Sequence, residues 1–121
     1  MQIIYKTSNS PEVKMCEEEN YLEISGESYP ENPIKFYEPI LEWLNNVLSF
    51  KNEMNLIFKF DYLNTTSSKL LMDILDASNE FHKKGKRITI NWFHKKDDED
   101  MLEMGQEFSN SLDLPFVIKE M

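Results

Sequence analysis

The chain has 121 residues, 40% hydrophobic and 12% aromatic, enough apolar material for one packed core and too much for a disordered polymer. With 13 basic and 22 acidic side chains it carries a formal charge of −9, which argues against general nucleic-acid binding or attachment to an anionic membrane surface. Its one cysteine, Cys16, has no internal disulfide partner, and no apolar run reaches the length of a membrane span or an export signal, so a single cytoplasmic domain over residues 1–121 is expected.

Ile3, Ile4 and Tyr5 suggest a short opening strand; Val13 and Met15 alternate in a second and Leu22 and Ile24 in a third, with Glu17-Glu18-Glu19-Asn20 as the hairpin turn between them. The run Gly26-Glu27-Ser28-Tyr29-Pro30-Glu31-Asn32-Pro33 collects helix breakers and capping residues and reads as loop. Ile34, Tyr37, Leu41, Leu44 and Leu48 then recur at helical spacing. Because Pro39 lacks an amide donor, the regular helix is expected to begin near Phe36, with the proline in its first turn. Phe36, Trp43 and Phe50 form a second stripe, read as a wider core face or as an aromatic contact surface.

Asn55–Leu63 predicts a strand with Leu56, Phe58, Phe60 and Tyr62 on one face, and a periodic helix follows on Leu71, Ile74, Leu75, Ser78 and Phe81 until Gly85. Ile88, Ile90, Trp92 and Phe93 make a near-continuous apolar strand suited to an interior position. A last helix runs from about Asp97 to Leu112 on Met101, Gly105, Phe108 and Leu112, and Phe116-Val117-Ile118 closes as an edge strand. The order βββαβαβα(β) with right-handed crossovers defines an α/β sandwich: one mixed sheet with helices mainly on one face.

Charge is uneven along this frame. Residues 51–96 carry 9 basic and 5 acidic side chains, whereas residues 97–121 carry 1 and 8. Both runs fit helix punctuation. Lys83 and Lys84 fall where a helix ends, and Asp97-Asp98-Glu99-Asp100 falls where one begins, each complementing the local helix dipole.

The chemistry that the residues fail to assemble is informative. His82 and His94 follow no metal-ligand spacing and read as helix-end and strand-end surface; three glycines build no phosphate-binding loop, and no nucleophile elbow occurs. No cofactor or metal is expected. The segment that stands out is Tyr62-Leu63-Asn64-Thr65-Thr66-Ser67-Ser68-Lys69, five polar residues between a buried-type strand and a helix. One hydroxyl suffices to cap a helix, and here four are offered. A hydroxyl at a helix N-terminus is also a good phosphoacceptor, because the added charge meets free amides and the positive end of the dipole. From the residues alone both roles stay open.

Taken together, Gly26-Glu27-Ser28-Tyr29-Pro30-Glu31-Asn32, the Tyr62–Lys69 segment and Met72-Asp73-Ile74 resemble the SiaC family of bacterial regulatory phosphoproteins, from about Tyr21 to Phe116. That family resembles in fold the STAS domains of anti-sigma-factor antagonists. The resemblance implies a non-catalytic protein–protein switch in cyclic di-GMP signalling. A dedicated kinase phosphorylates a threonine at the strand-to-helix junction, a metal-dependent serine/threonine phosphatase reverses this, and the unphosphorylated form binds and activates a diguanylate cyclase. Carried over, Thr65 is the phosphoacceptor. Thr66, which stands where serine is commoner, competes with it, as do Ser67 and Ser68. The implied partner-binding residues are Tyr29, Glu31, Asn32, Asn64, Thr66, Lys69 and Asp73. Two other readings remain: a STAS-type anti-sigma-factor antagonist, and a small enzyme or ligand-binding domain with Tyr62, Lys69 and Asp73 around a pocket.

Overall fold

The computed structural model describes residues 1–121. Its elements are β1 (Gln2–Ile4), β2 (Glu12–Cys16), β3 (Tyr21–Ser28), α1 (Pro33–Leu48), β4 (Glu53–Leu63), α2 (Thr65–Lys83), β5 (Arg87–His94), α3 (Glu99–Asn110) and β6 (Phe116–Glu120). They form a six-stranded sheet in the order β1-β2-β3-β4-β5-β6. The first two pairings are antiparallel and the remaining three parallel.

Every parallel step moves in the same direction along the sheet, so right-handed crossovers deliver all three helices to one face. Burial follows. Val13 and Met15, Leu22 and Ile24, Leu56, Phe58 and Phe60, and Ile88, Ile90 and Trp92 point into the core, where Ile40, Leu44, Leu71, Ile74 and Leu75 meet them. The intervening Lys14, Glu23, Asn55, Lys59 and Asn91 face outward on an uncovered sheet surface. The expected element order and one-sided helical layer are those of the molecule, including the final strand.

Several local expectations are corrected. Helix α1 begins at Pro33, not near Phe36: Asn32 is its N-cap, accepting from the Lys35 amide at 3.1 Å, and Pro33 sits at the first position, where no amide donor is needed. Pro39 therefore lies inside the helix. Its ring is exposed, so the Lys35 carbonyl that loses a donor can turn to solvent. Ile34, read as core, is 60% exposed; Ile40 and Val47 complete the buried stripe instead. Phe36 and Trp43 pack half-buried against the core, and Phe50 is exposed.

Tyr62 does not continue the Leu56-Phe58-Phe60 face. Opposite β3, Gly26 pairs with Phe60 and Glu27 with Tyr62, so Asp61 is an extra residue on β4. This bulge reverses the alternation: Tyr62 turns to the surface and Leu63 into the core. Gly26 meets the bulge with φ 109°, a left-handed conformation that disfavours a side chain. Asp61, turned outward, holds Lys95 at 3.0 Å; this hydrogen bond raises the lysine's pKa above its ordinary value.

Strand β5 is interior in the sheet but apolar-covered on one side only, and Phe93 lies on the open face beneath the ammonium groups of Lys59 and Lys119. His94 is buried, not surface. Its Nδ1 lies 2.9 Å from the Lys95 carbonyl, to which it donates, and the His94 carbonyl accepts from the Met121 amide at 2.8 Å. The helix punctuation holds: Asp98 caps α3 through the Met101 amide at 3.0 Å, and Lys83, Lys84 and Gly85 close α2.

Candidate phosphoacceptor and partner-binding site

The two segments singled out in the sequence begin in the last residues of the neighbouring parallel strands β3 and β4, so the topology brings them together. The Asn64 amide donates to the Ser28 carbonyl at 3.1 Å, tying the start of α2 to the end of β3. Asn64 is the N-cap of α2. Its Oδ1 accepts from the Ser67 amide at 2.8 Å, and its carbonyl accepts from the Ser68 Oγ at 3.0 Å. The capping role therefore falls to the asparagine, which leaves the four hydroxyls free for other work.

They divide by burial. Thr65 and Thr66, in the first turn of α2, are exposed. Ser67 is wholly buried, at 0% exposure. It closes a hydroxyl network: Ser28 Oγ donates to Ser67 Oγ at 2.9 Å, and the Tyr37 hydroxyl, 2.6 Å from Ser28 Oγ, completes the chain as donor. Burial pushes the Tyr37 phenol above its ordinary pKa of 10.0, partly offset by these bonds. Ser68 is half-buried beside Met104. The network binds the end of β3, helix α1 and helix α2 into one unit. Two of its members, Ser28 and Tyr37, were not legible in the sequence: Tyr37 reads there as plain core, and Gly26–Ser28 reads as loop but continues β3, paired with Phe60–Leu63. Spacing cannot show that hydroxyls on three elements converge.

Around this centre, Tyr29 is 41% exposed and Tyr62 50% exposed. Their rings meet edge to face at 5.9 Å, and the Tyr29 hydroxyl donates to the Ser8 carbonyl at 2.8 Å. Glu31, Asn32, Lys69 and Asp73 are exposed. Asp73 lines a cleft of about 190 Å³ between α1 and α2 with Ile34, Tyr37, Glu38, Leu41 and Leu70. Tyr62 and Lys69 do not line that cleft, so the pocket drawn for an enzyme or ligand-binding domain does not form around those three residues. No three His, Cys, Asp or Glu side chains converge as a metal-ligand group, and no helix is long and apolar enough to cross a membrane.

Comparison with known proteins agrees with this geometry. The family model described as SiaC family regulatory phosphoprotein matches residues 4–121. An uncharacterized protein of Pseudomonas aeruginosa strain UCBPP-PA14 is 30% identical over 114 residues, 93% of this chain and 90% of that protein. Among solved structures, SiaC of Pseudomonas aeruginosa in complex with the diguanylate cyclase SiaD, which it activates, aligns over 100% of both chains with a TM-score of 0.96 and 29% identity. A further structure of SiaC from that bacterium, also over 100% of both chains, gives 0.93 and 28%. The class is thus a small regulatory phosphoprotein built on a one-sided α/β sandwich. This chain belongs to the SiaC family.

Proposed function

We propose that the chain is a non-catalytic, cytoplasmic protein–protein switch whose toggle is the Thr65 hydroxyl. A cognate kinase transfers a phosphoryl group to Thr65 Oγ, and a metal-dependent serine/threonine phosphatase removes it. The unphosphorylated form binds and activates a diguanylate cyclase. Full-length similarity to a SiaC structure bound to the cyclase that it activates supports this output.

The observation that carries the reading is the division of the four hydroxyls. Ser67 is sealed in the Ser28–Tyr37 network, where no kinase can reach it, and Ser68 is turned back on the Asn64 carbonyl. That leaves Thr65 and Thr66 presented to solvent on a helix start already secured by Asn64. Phosphate at Thr65 adds nearly two negative charges beside the positive end of α2, a change the fold tolerates. A partner surface pressed onto Tyr29, Glu31, Asn32, Asn64, Thr66, Lys69 and Asp73 would have to desolvate that charge and would be expelled. Coupling of about 2–3 kcal/mol, on the order of a hundredfold in affinity, makes such a switch effective.

The test is phosphorylation by the cognate kinase, read by mass spectrometry, with cyclase binding measured for Thr65→Ala and Thr65→Asp. Thr65→Ala should accept no phosphate there and keep its binding, and Thr65→Asp should bind weakly. Full phosphate incorporation into Thr65→Ala overturns the assignment.

A further inference from the structure

We propose that Lys69 is the counter-ion of the phosphorylated junction: once Thr65 carries a phosphoryl group, the Lys69 ammonium reaches back over the first turn of α2, pairs with it and slows its removal. The inference rests on the Thr65 reading above and deepens it, naming the residue of this chain that holds the modified state.

Helical geometry brings the two together. Thr65 is the first residue of α2 and Lys69 the fifth, so their side chains stand one above the other on a single helical face. Side chains on a helix lean toward its N-terminus, which carries the lysine stem toward the residue four before it. Both residues are exposed, so no packed neighbour blocks the approach.

Lys69 is also uncommitted in the unmodified protein. It belongs to no ion pair, although Asp73 lies one turn further along the same face and Asp76 about two turns along. Across the α1–α2 cleft, Glu38 is the acidic residue that faces Asp73. A phosphate carries nearly twice the charge of one carboxylate and competes successfully for the ammonium.

The backbone makes such a cation necessary. Asn64 Oδ1 already accepts from the Ser67 amide at 2.8 Å, and the Asn64 carbonyl accepts from the Ser68 amide at 3.0 Å. The helix start therefore has few amides left to offer a phosphate, and Lys69 supplies the strong charge-assisted donor. A metal-dependent phosphatase has to draw the phosphate oxygens onto its own ions before water attacks phosphorus, so the Lys69 pair must first be broken. Lys69 thereby sets how long the modified state lasts.

The experiment uses the full chain phosphorylated with excess cognate kinase, the position of the phosphate fixed by mass spectrometry, as wild type, Lys69→Gln and Lys69→Arg. A neighbouring cation favours the phosphate dianion. In a phosphorus NMR titration the second ionisation, near pH 6 for a free phosphothreonine, should therefore lie at least about 0.3 pH units lower in the wild type than in Lys69→Gln. Lys69→Arg should restore the wild-type value. The metal-dependent phosphatase should release phosphate at least about threefold faster from Lys69→Gln. The melting temperature of unphosphorylated Lys69→Gln should match the wild type, because the side chain is exposed and unpaired there. With phosphate on Thr65, an unshifted ionisation or an unaccelerated dephosphorylation in Lys69→Gln overturns the proposal while the Thr65 reading stands. Phosphate found only at another residue of the wild type overturns that reading, and the counter-ion role falls with it.

Discussion

Tyr37, Ser28 and Ser67 place three hydroxyls where the fold would otherwise be apolar, at 2%, 0% and 0% exposure. Buried polar groups are tolerated when each has a partner, and they become costly when one is removed. Tyr37→Phe keeps the ring and deletes the donor to Ser28, so equilibrium denaturation should show a loss of about 1–3 kcal/mol. The raised phenol pKa fixes the sign of a pH effect. Tyr37 stays protonated in the folded state above pH 10.0, whereas the unfolded chain ionises there, so its contribution is complete below that pH and is lost as pH rises toward the folded pKa. Alkaline denaturation should therefore be shallower in Tyr37→Phe. A pH profile unchanged by the substitution would contradict the buried assignment. A parallel case is Asn79, whose Oδ1 accepts from the amides of Asp113 and Leu114 at 2.9 and 3.1 Å and holds the approach to β6.

Among the elements, α2 is built to accept charge at its start. No acidic residue occupies its first turn, and the cap is a neutral asparagine. Thr65→Asp should accordingly leave thermal stability unchanged or raise it by about 0.3–1 kcal/mol, even as partner binding is lost. A melting temperature depressed by several degrees would show that the substitution disrupts the fold and that its binding defect is indirect. Helix α3 depends on a close approach instead. A Cβ added at Gly105 would lie 2.5 Å from Trp92 Cδ1. The indole cannot retreat: it is wholly buried, with Nε1 donating to the Met101 carbonyl at 2.9 Å. Gly105→Ala should cost about 1–3 kcal/mol by overpacking, seen as a lower melting temperature with Thr65 phosphorylation intact.

For the molecule as a whole, one-sided crossovers separate two surfaces. The helical side carries the junction and the α1–α2 cleft; the open sheet face carries Lys14, Lys59, Phe93 and Lys119. Charge reversal at Lys119 should leave both phosphorylation and cyclase affinity at wild-type levels, as measured by mass spectrometry and calorimetry, and a large loss would move the interface to that face. Much of this was legible in the residues themselves. The alternation of Val13 with Met15 and of Leu22 with Ile24, the Leu71–Phe81 periodicity and the Asp97–Asp100 and Lys83–Gly85 punctuation are local signals, since period and capping depend on near neighbours along the chain. The hydroxyl-rich junction was visible for the same reason. The fates of its members were not: Ser67 is sealed by Ser28 and Tyr37 from other elements, and Tyr62 is turned outward by the register between β3 and β4. Exposure and partnership are relations between distant parts of the chain, so only the packed structure could decide which hydroxyl faces solvent, which carboxylates rim a cleft, and which strand face stays open.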